Sequence, residues 1–224
     1  MQVLGVAILG LGILFLTYYL FKEIQEVRFL KNTLTQIIGK RKIESVEDLV
    51  KIKNYLQKNI SYNAKLKSTK RPLLRHTASH ILTSNYGFCG ENARVAIKLF
   101  MLGNIKAARI YLYGKQWGHV VIENRWNNSW FLFDGHYDEK TQLLDKQVTT
   151  IPSDKIEKYP NGYPENEYVD FCRIKLFYKI KLVASLSKIR LPSSIIYYFE
   201  SPYLIFSSLG ILNIFIGLLI YFYY

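Results

Sequence analysis

The sequence predicts an α+β fold: a helix led by a cysteine, then antiparallel strands, with a transmembrane helix at each end. Three observations predict it. Both ends are long runs without charge, residues 3–21 and 202–224. A helical apolar repeat begins abruptly at Cys89. Three strand-like runs follow it, two of them separated only by Asn127-Asn128.

The ends come first in the argument. A bilayer core takes about 20 apolar residues of helix, and both runs reach that length. The first lacks the marks of a cleaved secretory signal. Nothing basic precedes it, and TYYLFKEI after it holds no small-x-small site. Its retention as a span is therefore expected. The second is expected to span as well, rather than to be a core helix, given its length and its Tyr/Phe-rich ends. Every charged side chain lies between Lys22 and Glu200, a stretch of about 180 residues that fits one ordinary domain.

Two spans put both ends of that domain on one side of a membrane. Lys22, Arg28, Lys31, Lys40, Arg41 and Lys42 follow the first span. Arg173, Lys175, Lys179, Lys181, Lys188 and Arg190 precede the second, and the outer flanks hold neither Lys nor Arg. Counting Lys and Arg near span ends predicts an integral membrane protein with two spans and a core facing the cytoplasm. The net charge of +13 has the same origin, since anionic lipid headgroups attract such residues at about 1 kcal/mol each. Anionic membrane lipids are thus expected partners. Nucleic acid is not, because no basic run with interleaved aromatics lies on a recognisable scaffold. Two cysteines, Cys89 and Cys172, do not suggest a disulfide framework.

The middle reads as follows. Residues 22–38 continue the first helix as an amphipathic stretch, ended by Gly39 and a basic KRK. Ser45-Val46-Glu47-Asp48 resembles a capping box and opens a helix to about Lys58, with Leu49, Ile52, Tyr55 and Leu56 on one face. Residues 61–72 read as a polar loop ending at Pro72, and HTASHILTS as a short helix. After Asn85-Tyr86-Gly87, CGENARVAIKLFML carries Ala93, Ala96, Ile97 and Phe100 at helical spacing, with Gly103 as stop signal. AARIYLY (107–113), HVVIENRW (119–126) and SWFLFD (129–134) are strand-like. Residues 139–170, with three prolines, read as irregular cover; 168–183 alternates poorly and leaves open a strand leading to a membrane-proximal helix. The resulting organisation is a transmembrane helix (1–21), a juxtamembrane helix and linker (22–44), a core (45–138), a covering segment with a basic juxtamembrane region (139–201) and a second transmembrane helix (202–224).

Cys89 at a helix start is the chemical question. A buried cysteine is often simply a small hydrophobe. A nucleophile needs a lowered pKa, an imidazole and a group that holds the imidazole. Helix N-terminal N–H groups and the dipole favour an anion and could stabilise an oxyanion. His76, His80, His119 and His136 are the available imidazoles. If Asn127-Asn128 is a two-residue turn, Trp126 pairs with Ser129, His119 falls opposite His136, and Asp134 falls opposite Val121. His119 and Asp134 then share one face as diagonal neighbours, roughly 7–8 Å apart at the backbone. A slip of one residue would separate them.

Zinc is disfavoured: His76 and His80 are four apart, but no cysteine or carboxylate pair accompanies them. No metal and no cofactor are expected. Glu91 is read as complementing the helix dipole, Arg94 as pairing with Glu91 or Glu123, Trp117 as shielding the site or packing, and Cys172 as core.

These residues also resemble the transglutaminase-like superfamily, circularly rearranged relatives of papain. The matching pieces are Gly87-Phe88-Cys89, Gly118-His119-Val120-Val121-Ile122-Glu123 and Trp130-Phe131-Leu132-Phe133-Asp134, and the likeness covers about residues 45–138. The resemblance implies a cysteine helix packed on an antiparallel sheet, with Cys89 as nucleophile, His119 as general base and acid, and Asp134 as orienting carboxylate. The implied activity is acyl transfer or hydrolysis at an amide of a protein or peptide through a thioester. The alternative is a catalytically silent binding or scaffolding module of the same fold. One departure is that Gly135-His136-Tyr137 stands where relatives often place proline after the aspartate, leaving His136 as a second imidazole.

Overall fold

The structure, a computed structural model, describes residues 2–62, 76–137, 144–160 and 162–223. The polar loop expected over 61–72 lies almost wholly outside the described residues.

Helix α1 (Gln2–Ile38) runs without a break from the apolar run into the amphipathic stretch. At 1.5 Å per residue it is about 55 Å long, more than a bilayer core needs. Gly39, in the left-handed region at φ 77°, ends it. Helix α7 (Pro202–Tyr223) lies against its first half. Both helices are long and apolar enough to cross a membrane. Neither is a core helix, because large apolar side chains such as Leu11, Leu14, Phe215 and Phe222 face outward. Their contact is close. A Cβ on Gly12 would stand 3.0 Å from the Gly210 carbonyl and 2.8 Å from the Ile214 nitrogen. Small residues of this kind let two apolar helices gain packing that side chains would otherwise prevent.

Between them lies an α+β core. Ser45 caps α2 (Val46–Asn59), and Asp48 returns the bond to the Ser45 amide at 3.0 Å, as the capping box requires. The short α3 (Ala78–Ser84) starts at Thr77 and stops at Asn85, whose φ of 57° turns the chain. Helix α4 (Cys89–Leu102) follows. It packs on a four-stranded antiparallel sheet of β1 (Ala107–Gly114), β2 (Gly118–Trp126), β3 (Ser129–Phe133) and β4 (Tyr168–Cys172), in the order β3-β2-β1-β4. The β2–β3 register is the one a two-residue turn dictates, Trp126 with Ser129 and Ile122 with Phe133. Asn127 and Asn128 take φ of 46° and 62°, which asparagine tolerates. Phe100 of α4 meets Phe133 edge-on at 4.7 Å, so the Ile122–Phe133 face receives α4.

The ambiguous stretch resolves into β4 on the β1 edge and the short α5 (Lys175–Tyr178). A one-residue bulge beside Gly114 breaks the β1–β4 pairing. A strand followed by a helix is the arrangement that the sequence left open. A 3₁₀ segment, Lys181–Lys188, then leads to α6 (Ser193–Glu200) and α7.

The segment after residue 144 runs along the free edge of β3, where Leu132 donates its amide to the Ile151 carbonyl at 2.8 Å. Fully buried Glu123 accepts from Arg173 at 2.7 and 2.8 Å and from Arg190 at 3.0 and 3.1 Å.

Candidate functional site

The site begins with the entry into α4. Phe88 is the extended N-cap, and its amide donates to Glu91 Oε2 at 2.8 Å. Glu91 is therefore a capping carboxylate as well as a charge on the dipole. Cys89 becomes the first helical residue, at the end where helix amides lack partners one turn earlier. It is half-buried.

The thiol stands beside the His119 ring and the Val120 amide, near enough for both to favour its anion. His119 is the second residue of β2, and its Nε2 lies 2.8 Å from Asp134 Oδ2. With Nε2 so engaged, Nδ1 is the ring nitrogen left for the sulfur. Asp134 follows the last residue of β3. Its Oδ2 also accepts from the Tyr159 hydroxyl at 2.5 Å, and its Oδ1 accepts from the His136 amide at 2.8 Å. The structure thus places Cys89 beside His119, and His119 on Asp134.

Electrostatics follow from this contact. Burial works to raise the Cys89 thiol, but the hydrogen bond and charge of His119 and the Val120 amide outweigh it, leaving the thiol below its ordinary value. Burial works to lower His119, yet the Asp134 charge and hydrogen bond, with Cys89, raise it to about 10. Burial also opposes the Asp134 charge, and His119, His136 and Tyr159 overcome it, so the carboxyl lies below its usual range. Such an arrangement favours the thiolate beside an imidazolium: a nucleophile next to a proton donor.

The surroundings fix the three groups. Asn92, three residues after Cys89, donates through Nδ2 to the Gly135 carbonyl at 3.0 Å and ties α4 to the aspartate loop. Asn166 Oδ1 accepts from the Gln116 and Trp117 amides at 2.8 and 2.9 Å, holding the turn that leads into His119. Trp117 is 42% exposed and meets Tyr163 edge-on, so it stands at the rim and is not part of the core. The His136 ring centroid lies 5.8 Å from that of His119 and 5.2 Å from that of Tyr62. His136 therefore flanks the site, while its backbone serves the carboxylate. His76 and His80 stack on each other at 4.7 Å. Among the described residues no cluster of His, Cys, Asp or Glu could hold a metal.

Arg94 corrects the sequence expectation. Its partners are Glu200, at 3.2 Å, and the His76 carbonyl, not Glu91 or Glu123. Arg109 shares Glu200 through two bonds of 2.8 and 2.7 Å. Cys172 is core: it is fully buried and lies 3.4 Å from the Tyr113 hydroxyl. Sequence reasoning missed Tyr159 and Asn166, which come from irregular cover and carry no periodic signal.

No protein-family profile matches the chain, and no curated protein matches it. Among solved structures it is similar to a protein from Cytophaga hutchinsonii, provisionally named a cysteine protease, with 22% sequence identity and a TM-score of 0.41. The match covers 49% of this chain and 37% of the other, so this chain spans little more than a third of that structure's length.

Proposed function

We propose that the chain is a membrane-anchored, transglutaminase-like cysteine enzyme that transfers or hydrolyses acyl groups at amide bonds of proteins or peptides. The observation that carries this reading is the His119 ring, held by Asp134 at 2.8 Å and set beside a thiol at a helix tip.

The chemistry runs in two halves. The Cys89 thiolate attacks the amide carbonyl carbon and forms a C–S bond. The oxyanion so created meets the amides that open α4. The C–N bond breaks, and the His119 imidazolium gives its proton to the departing amine. Water or a second amine then attacks the thioester, His119 takes the proton, and the C–S bond breaks to restore the thiolate. Asp134 keeps the ring oriented and stabilises its cationic form throughout.

Anchoring rests on the two apolar end helices, and a cytoplasmic core rests on the Lys and Arg beside them. The test is alkylation of the full chain in proteoliposomes with iodoacetamide at neutral pH. Cys89 should react about tenfold or more faster than a free thiol, and His119→Ala should remove that advantage. Equal labelling of wild type and Cys89→Ala, or reaction no faster than a free thiol, overturns the proposal.

A further inference from the structure

Three contacts fix the direction in which α4 runs. Lys98 Nζ lies 3.1 Å from Glu23 and 2.7 Å from Glu26, just beyond the apolar run of α1. Gly103, at the far end of α4, lies against Leu34, farther along α1 and away from that run. Arg94, one turn closer to the N-terminus than Lys98, binds Glu200, two residues before the apolar helix α7. The helix therefore descends toward the apolar ends as it approaches its N-terminus. Cys89 lies about 13 Å from Lys98 along the α4 axis, at the helix end opposite Gly103.

Helix α6 lies at the same level. Its inner face turns Tyr197 and Glu200 toward α1 and α4, with the Tyr197 hydroxyl donating to Glu23 at 2.9 Å. Tyr198 meets Ser208 of α7, hydroxyl to hydroxyl at 2.7 Å. Ser208 stands six residues into α7, about 9 Å along its axis. The outer face presents Ile195, 41% exposed, and Phe199, 54% exposed. Upstream, Leu182 is 92% exposed, directly after the exposed Lys179 and Lys181. A short helix with aromatic and aliphatic residues outward, fed by a basic apolar segment, suits the headgroup region of an anionic bilayer.

We propose that the outer face of α6 and the apolar side chain of Leu182 seat in the lipid interface, so that the Cys89 site opens at the bilayer surface and takes amides of membrane-borne polypeptides. The surface rests on the reading of α1 and α7 as spans, and the substrate class on the proposed thiol chemistry. Continuity of α6 with α7 and the charge of the lysines commit the face to lipid rather than to a second protein.

The test uses the full chain with Cys89→Ala and Cys172→Ala in phosphatidylcholine–phosphatidylglycerol vesicles. A fluorophore is placed singly at Phe199→Cys, Leu182→Cys and, as a control at the far end of the domain, Lys106→Cys. Doxyl-labelled lipid should quench the first two at least threefold more than the third. Quenching at either no greater than at Lys106→Cys overturns the surface. For the substrate class, a maleimide carried on a lipid headgroup should label Cys89 in the Cys172→Ala chain faster than it labels Lys106→Cys in the doubly substituted chain, each rate being divided by that for a soluble maleimide on the same thiol. The reverse order overturns it. Failure of the enzyme reading is separable: the quenching experiments contain no Cys89, and a thiol of ordinary reactivity with quenched positions 182 and 199 would remove the enzyme and leave the surface.

Discussion

Tyr159 donates its hydroxyl to the same oxygen of Asp134 that holds the His119 ring, at 2.5 Å from one side and 2.8 Å from the other. The carboxylate therefore has two partners that define its plane, besides the His136 amide on the other oxygen. Tyr159→Phe removes one charge-assisted bond to a buried group, at a cost of about 1.5–3 kcal/mol. The sign with pH follows from the depressed Asp134 value. A carboxylate held low contributes stability above about pH 4, which is lost as pH falls through its folded value. Without the hydroxyl that folded value rises, so acid unfolding of Tyr159→Phe should begin at higher pH than in wild type. An unchanged acid midpoint would show that Tyr159 does not bear on the carboxylate.

Cys89 and His119 set opposite limbs of a pH profile. Alkylation by a neutral reagent follows the thiolate, so its fall on acidification should lie below the ordinary thiol value of about 8.5. His119→Gln should move that fall upward. Amide cleavage, which needs the imidazolium to protonate the leaving amine, should decline as pH rises through about 10. The raised His119 value also stabilises the fold, fully below about pH 6.5 and progressively less as pH climbs through about 10. The stability gap between wild type and His119→Gln should therefore narrow on the alkaline side.

Gly135 follows the aspartate where resemblance suggests proline. A Cβ there would stand 2.7 Å from Asn92 Oδ1, 2.7 Å from Leu56 Cδ1 and 3.0 Å from Leu56 Cβ. Gly135→Ala should cost about 1–3 kcal/mol as an overpacked site. It should also slow Cys89 alkylation, because the carboxylate loop must move. Thermal unfolding and labelling rate, measured on the same preparation, check both. A stable variant with unchanged labelling would mean that the loop yields freely.

Much of this was legible because it is local. The His119–Asp134 contact depended only on two asparagines taking positive φ, and the register followed from the turn. Cys89 at the first turn was legible from Gly87, Glu91 and the apolar spacing after it. What was hidden depends on chain that returns from a distance. Tyr159 sits in irregular cover, and Glu200 reaches back to Arg94 and Arg109 from the edge of the last apolar helix. The bulge beside Gly114 blurs the alternation that would have revealed β4.

Glu123, part of the sequence pattern that points to His119, has a structural partner set that allows a sharp test. It is fully buried, Arg173 is 7% exposed and Arg190 is 37% exposed at the side chain. Removing one member of a buried pair strands the other charge at about 3–5 kcal/mol, whereas an apolar replacement of both is often nearly neutral. Glu123→Ala should therefore destabilise by about 3–5 kcal/mol. Arg190→Ala, at the more exposed and longer contact, should cost about 1 kcal/mol or less. Glu123→Leu with Arg173→Met should recover most of the loss, because no buried ion is left unpaired. Tryptophan fluorescence during thermal unfolding reads this directly, since Trp126 and Trp130 flank the hairpin turn. A double variant as unstable as Glu123→Ala would mean that Glu123 holds the covering segment by geometry that no apolar pair can replace.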